Sequence, residues 1–116
     1  MKHISILVPR GEAVLSSIVG PYKVFHTVNK LLAGMGRPPF FKVDLVGLDD
    51  SSVLYDGLFT VKPGVVLKDA GKTDLVIIPA PSGDMAKAIA LNQEFLPWIS
   101  KQYKGGAEVA SRCIGA

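Results

Sequence analysis

The sequence has very little cysteine and no hydrophobic run long enough to cross a bilayer. Its 116 residues include one cysteine, Cys113, which excludes a disulfide scaffold or a multi-cysteine zinc site and fits a reducing cytoplasm. No apolar run approaches the roughly 18–20 residues of a membrane-spanning helix. The chain enters a strand-like segment directly after its first residues, so we expect no signal peptide. With 48% hydrophobic residues, these absences predict one small, soluble, cytoplasmic domain with its own core.

Concentrated positive charge is also missing. Thirteen Lys and Arg against ten Asp and Glu give a net charge of +3, and the basic residues are scattered singly along the chain. No aromatic residues interleave with them, as they would in a groove that binds nucleic acid. The pattern therefore favours a solvated mixed surface. We expect any contact with DNA to be made outside these 116 residues.

Short apolar runs alternate with helical periods along the chain. The predicted strands are residues 3–8, 40–47, 58–61, 74–78 and 107–111. The run at 74–78 has no polar alternation, which is typical of a parallel strand covered on both faces. Strands separated by helices predict an α/β fold with a doubly wound, mostly parallel sheet.

Two helical stripes accompany these strands. The first covers residues 15–32 with apolar side chains every three or four positions, Tyr22 and Phe25 among them, and Pro21 inside it should bend or restart the helix. The second places Phe95, Ile99 and Tyr103 on one buried face.

Open α/β sheets bind ligands at the carboxyl ends of their strands, where residues 9–13, 79–84 and 111–115 should converge. Cys113 follows a strand and is flanked two residues away by the small residues Ser111 and Gly115. Small flanking residues are the steric requirement of a nucleophile elbow, and a helix starting there would make the thiol more acidic. A buried packing cysteine explains the spacing equally well.

Four segments, taken in their order along the chain, resemble the pattern of a known family. They are Gly20-Pro21 with Val24-Phe25 and Asn29, then residues 41–46, 74–79 and 111–116. With them the chain resembles, over its whole length, the ThiJ/PfpI, class I glutamine amidotransferase-like superfamily. More narrowly, it resembles the N-terminal sensory domain of AraC-family transcription regulators.

The resemblance implies a flavodoxin-like fold and a longer protein. Such domains continue past the elbow into a helix and more sheet, and the regulators then carry a helix-turn-helix domain. We therefore expect residues 1–116 to be the N-terminal part of a ligand-sensing domain, ending after the elbow strand, with the DNA-binding domain downstream.

The resemblance also shows two departures from the enzymes of the superfamily. Their first helix carries an acidic residue where this chain has Ser16. Their loop after the central strand carries a Gly-Gly pair where this chain has residues 80–83, including Pro81. Proline has no N–H to donate, and a lost oxyanion donor costs roughly 100-fold or more in rate. These departures favour a degenerate, non-enzymatic site.

The favoured hypothesis is a sensor. A small metabolite would bind near Glu12, Ser82, Gly83 and Ile114, with Cys113 keeping the elbow position without a catalytic role. We expect no metal, cofactor or membrane, DNA contact only through the downstream domain, and a homodimer. One alternative is a stand-alone cysteine hydrolase or deglycase that uses Cys113, with Glu12 as its acid. Another is a dimerisation module without a ligand.

Overall fold

The computed structural model describes residues 1–111, which form seven strands, three α-helices and a 3₁₀ turn at Leu67–Asp69. The strands are β1 (Lys2–Val8), β2 (Phe41–Gly47), β3 (Ser52–Leu54), β4 (Phe59–Val61), β5 (Val65–Val66), β6 (Leu75–Ile78) and β7 (Glu108–Ser111). The helices are α1 (Ser16–Gly34), α2 (Met85–Leu91) and α3 (Phe95–Lys104). None of these helices combines the length and hydropathy needed to span a membrane.

Five strands form one parallel sheet in the order β5-β2-β1-β6-β7. The central strand, β1, pairs with β2 from Lys2–Phe41 to Val8–Gly47 and with β6 on its other edge. The connection between β1 and β2 runs through α1, and the connection between β6 and β7 runs through α2 and α3. This is the predicted doubly wound α/β fold.

The helices cover both faces of the sheet. Side chains of a strand point alternately to its two faces, so Ile4, Ile6 and Ile77 pack against Ile18 of α1. On the opposite face, Leu7, Val46 and Val76 pack against Phe95 of α3. Strand β6 supplies Ile77 to one core and Val76 to the other, which explains its unbroken apolar run. The prediction that this strand is covered on both faces is confirmed.

Helix α1 is continuous through Pro21, so the predicted restart does not occur. Pro21 lies in the second turn, where its missing N–H leaves only the carbonyl of Ser17 without its helical partner. Pro21 is buried, whereas Tyr22, assigned by the sequence pattern to the buried face, is 40% exposed. Pro21 therefore takes the inward position that the sequence pattern assigned to Tyr22.

Asn29 fastens α1 to the start of β2. Its Nδ2 donates to the carbonyl of Phe41 at 2.7 Å, and its Oδ1 accepts the N–H groups of Phe40 and Phe41 at 3.0 and 3.1 Å. A single side chain thus satisfies three backbone groups where the strand begins.

The predicted inward face of α3 is correct at Phe95 and wrong at Tyr103, which is 68% exposed. Gln102 is buried in its place. Its Oε1 accepts the buried N–H of Thr73 at 3.1 Å. A buried donor needs an acceptor, and this amide supplies one.

A β3–β4 hairpin was not predicted as a pair, since the sequence pattern indicated only the second strand. The two strands pair in antiparallel fashion, with Ser52 opposite Val61 and Leu54 opposite Phe59. The turn contains Tyr55 in a left-handed conformation with φ of 55°. Leu54 is buried and anchors the hairpin to the domain.

His3 lies at the amino end of the sheet, far from the strand carboxyl ends. Its Nε2 is 2.6 Å from Asp44 Oδ2 of β2, and its Nδ1 is 3.0 Å from the carbonyl of Lys72. Its backbone N–H donates to Asp74 at 2.8 Å and, as the main cause, lowers the pKa of that carboxyl.

Candidate functional site

Two of the three predicted segments converge through backbone hydrogen bonds. The loop after β1 and the loop after β6 form an antiparallel bridge between Ala13 and Pro81. Val14 N donates to the carbonyl of Ala80 at 2.9 Å, and Ser82 N donates to the carbonyl of Glu12 at 3.2 Å. The two loops therefore behave as one structural unit at the carboxyl end of the sheet.

A cavity of about 320 Å³ opens beside these loops. Its walls come from the carboxyl ends of β1, β6 and β7 on one side and from α2 and α3 on the other. The lining is mostly apolar and includes Leu7, Ile78, Ala88, Phe95 and Ile99. This volume is at the lower end of the range for small-molecule sites.

Among the described residues, the polar lining consists of Glu12, Asn92 and Ser111. The Asn92 amide is occupied by the protein itself. Its Oδ1 accepts Arg10 N at 2.7 Å, and its Nδ2 donates to the carbonyls of Arg10 and Ala88, both at 2.9 Å. Asn92 therefore holds the junction between α2 and α3 against the end of β1.

The side chain of Arg10 ties the same region to the loop after β2. Its Nε and Nη2 donate to the two carboxylate oxygens of Asp49 at 2.7 and 2.9 Å, and its Nη1 donates to Glu94 at 3.1 Å. The hydrogen bond to Asp49, followed by that to Glu94, raises the pKa of the guanidinium further above its usual range. The same contact lowers the pKa of Asp49. Because these groups are exposed to solvent, the network orients the loop more than it stabilises the fold.

Glu12 lies at the opening of the cavity, where it is exposed. Its Oε2 accepts the N–H of Tyr55 from the β3–β4 hairpin at 2.9 Å. The Tyr55 hydroxyl in turn accepts Leu15 N at 3.0 Å. Within residues 1–111, none of the observed ion pairs includes Glu12.

The predicted site residues have different outcomes. Glu12 lines the cavity, whereas Ser82 and Gly83 lie on the adjoining loop and are not among its lining residues. The backbone N–H of Ser82 already donates to the carbonyl of Glu12. Cys113 and Ile114 lie outside the described residues, although Ser111, two positions before the cysteine, reaches the cavity wall.

Sequence reasoning missed Asn92 and Tyr55. No motif marks them, because their contacts join residues 82 and 43 positions apart.

The chemistry of the described lining fits an organic molecule. In residues 1–111, no three His, Cys, Asp or Glu side chains come together as a metal site. Glu12 is the ionisable side chain among the lining residues that the structure describes. Such a cavity suits a small apolar or amphipathic ligand.

Comparison with known proteins gives structural relatives. No protein-family model matches the chain, and no curated protein sequence matches it. A candidate transcriptional regulator from Vibrio parahaemolyticus superposes with a TM-score of 0.74 at 18% identity, over 95% of this chain and 55% of its own. A ThiJ/PfpI family protein from Pseudomonas syringae gives 0.71 at 19% identity, over 98% of this chain and 43% of its own. An AraC family transcriptional regulator from Pseudomonas putida gives 0.62 at 15% identity, over 96% of this chain and 64% of its own.

The matched structures share the fold of this chain and are longer. The chain spans about half the length, or less, of the first structures that it matches. Its structural neighbours include ThiJ/PfpI proteins, DJ-1 superfamily proteins and transcription regulators, in agreement with the resemblance read from the sequence. Residues 1–111 have the flavodoxin-like fold of the ThiJ/PfpI and DJ-1 proteins.

Proposed function

We propose that this chain is the sensory part of an AraC-family transcription regulator, in which a small metabolite in the cavity controls an attached DNA-binding domain. The observation that carries the proposal is the apolar cavity of about 320 Å³ at the carboxyl ends of β1, β6 and β7. Ligands of open α/β sheets bind at this edge. Regulators among the structural neighbours support the same assignment.

The wall formed by α2 is suited to respond to a ligand. This helix has seven residues, none of them buried. Its start is capped by Asp84, which accepts Ala86 N at 2.9 Å, and its end is followed by Asn92. A wall fastened mainly at its two ends moves more readily than one held by a packed core. A ligand between α2 and the sheet would favour one position of this wall, which the DNA-binding domain reads out.

Two features favour sensing over catalysis at this cavity. Pro81, which has no N–H, lines the cavity on the loop where a catalytic site would need oxyanion donors. Ser16, at the start of α1, stands where the resemblance places the acidic residue of the enzymes. In this proposal Cys113 contributes no catalytic step, so Cys113→Ala should leave ligand affinity unchanged in the full-length protein.

The proposed partners follow from the proposed role. The effector is a small molecule, and DNA is contacted by a helix-turn-helix domain outside residues 1–116. The regulator acts in the cytoplasm as a homodimer, because two reading heads match a two-fold symmetric operator.

A cavity-filling variant tests the proposal in cells. Ala88→Trp places a large side chain in the cavity, and Ala90→Trp adds the same side chain on the exposed surface of α2. DNA occupancy and transcription are measured genome-wide for the full-length wild type and both variants. We expect all three to occupy the same DNA sites, and only Ala88→Trp to fix transcription of the neighbouring genes in one state. If the wild type occupies no DNA sites, the proposed role as a transcription regulator is wrong. If Ala88→Trp and Ala90→Trp give identical transcription, control through the cavity is wrong.

A further inference from the structure

We propose that the cavity takes a compact apolar molecule with a single ammonium group, which pairs with Glu12 at the opening. This inference rests on the proposed function, because it names the chemical class of the effector. Its structural basis is a carboxylate at the opening of a mostly apolar cavity, and within residues 1–111 this carboxylate belongs to none of the observed ion pairs.

The cavity interior sets the size and polarity of the ligand body. Its volume of about 320 Å³ equals roughly ten waters of liquid volume, so the body has on the order of ten non-hydrogen atoms. Leu7, Ile78, Phe95 and Ile99 line this space. Each methylene group transferred into it raises affinity about fourfold. A hydrocarbon or aryl body fits these walls better than a sugar or a polar acid.

Among the residues that the structure describes, the polar end of the ligand has few partners. Asn92 has both N–H groups bonded to backbone carbonyls and its oxygen bonded to Arg10 N. The Arg10 guanidinium faces Asp49 and Glu94. These groups are therefore occupied. Of the remaining polar lining among the described residues, Ser111 offers a hydroxyl and Glu12 a charge, so Glu12 is the partner for a charged ligand group.

The Glu12 carboxylate can still accept a hydrogen bond from a cationic ligand group. Its Oε2 accepts one backbone N–H, from Tyr55, and within residues 1–111 none of the observed ion pairs includes it. A carboxylate attracts an ammonium group and repels a carboxylate ligand, so it selects among ligands by both effects. Its exposed position keeps the ammonium group partly hydrated, which avoids the cost of burying a charge.

Three probes of equal chain length separate these contributions: n-hexylammonium, 1-hexanol and hexanoate. Their affinities for the full-length protein are measured by calorimetry at neutral pH and low salt. The wild type is compared with Glu12→Gln and with Glu108→Gln, which removes the same charge from an exposed position on β7 outside the cavity lining.

We expect the wild type to bind hexylammonium most tightly and hexanoate most weakly. Glu12→Gln should weaken hexylammonium by about two- to fivefold, the range of an exposed ion pair. It should strengthen hexanoate by a similar factor and leave hexanol unchanged, while Glu108→Gln changes none of the three. Added salt should weaken hexylammonium binding to the wild type and not hexanol binding. This second measurement does not depend on the folding of a variant.

The outcomes separate this inference from the proposed function. If the probes bind and Ala88→Trp abolishes binding, but Glu12→Gln and salt leave the order of affinities unchanged, the ammonium class is wrong and the cavity remains the site. If no probe binds, this inference fails, and the transcription measurement on Ala88→Trp decides the proposed function. If Ala88→Trp binds all three probes like the wild type, the cavity is not the effector site and both proposals fail.

Discussion

Replacing Asn92 with aspartate should destabilise the junction that forms one wall of the cavity. The substitution keeps the size of the side chain and the acceptor for Arg10 N. It removes the two N–H donors that reach the carbonyls of Arg10 and Ala88, both at 2.9 Å. A carboxylate oxygen then faces two carbonyl oxygens, and all three repel one another.

The magnitude follows from the two lost donors. Each intramolecular hydrogen bond contributes a net 0.5–1.5 kcal/mol, and unpaired or repelling groups move the cost to the upper part of that range. We therefore expect the free energy of unfolding to fall by about 2–3 kcal/mol. For a domain of this size, the thermal midpoint should fall by about 8–12 °C.

Thermal unfolding followed by circular dichroism at neutral pH measures this effect. Gln93→Glu is the matched control, because it introduces the same charge at the neighbouring exposed position. We expect the control to lie within about 2 °C of the wild type. A midpoint for Asn92→Asp as high as that of the control would refute the role assigned to the Asn92 donors.

Three further predictions concern the core, the strand start and the amino end of the sheet. Ile6 is fully buried, so Ile6→Ala should cost about 2–5 kcal/mol in denaturant unfolding; a loss below 1 kcal/mol contradicts the packing. Asn29→Ala removes three hydrogen bonds at the start of β2 and should cost about 2–3 kcal/mol, whereas Asn29→Asp, which keeps both accepted bonds, should cost about 1; equal losses contradict the bonding. The Asp74 carboxylate has a lowered pKa, so its contribution to stability is complete above its unfolded pKa near 4 and is lost as the pH falls through its lower folded pKa. Asp74→Asn should therefore reduce stability at neutral pH and show a shallower acid loss, and parallel pH profiles would contradict this.

Much of the sheet follows from local pattern. The apolar runs of β1 and β6 predict central parallel strands, because a strand that is apolar on both faces must be covered on both. The β3–β4 pairing escaped prediction because β3 has only three residues, too few for alternation to be recognised, although the second strand was predicted. The error at Tyr103 has a different cause. Helical spacing places hydrophobic side chains inside, but the buried N–H of Thr73 required the amide of Gln102.

The candidate site was predictable in place rather than in detail. Parallel strands bring their carboxyl ends to one edge, so Glu12 could be assigned to the site from topology alone. The roles of Asn92 and Tyr55 depend on contacts between residues far apart in the chain, which no local motif encodes. The prediction at Cys113 lies outside the described residues and stays a prediction.

The most direct test of the ligand-sensing cavity is equilibrium dialysis of the full-length protein against a metabolite extract of its source cells. Compounds retained by the wild type, by Ala88→Trp and by Ala90→Trp are identified by mass spectrometry, after thermal unfolding has shown both variants to be folded. We expect at least one small compound that the wild type and Ala90→Trp retain and Ala88→Trp does not. Retention of the same compounds by all three proteins, or of none by the wild type, would contradict a ligand-sensing cavity at the carboxyl ends of the strands.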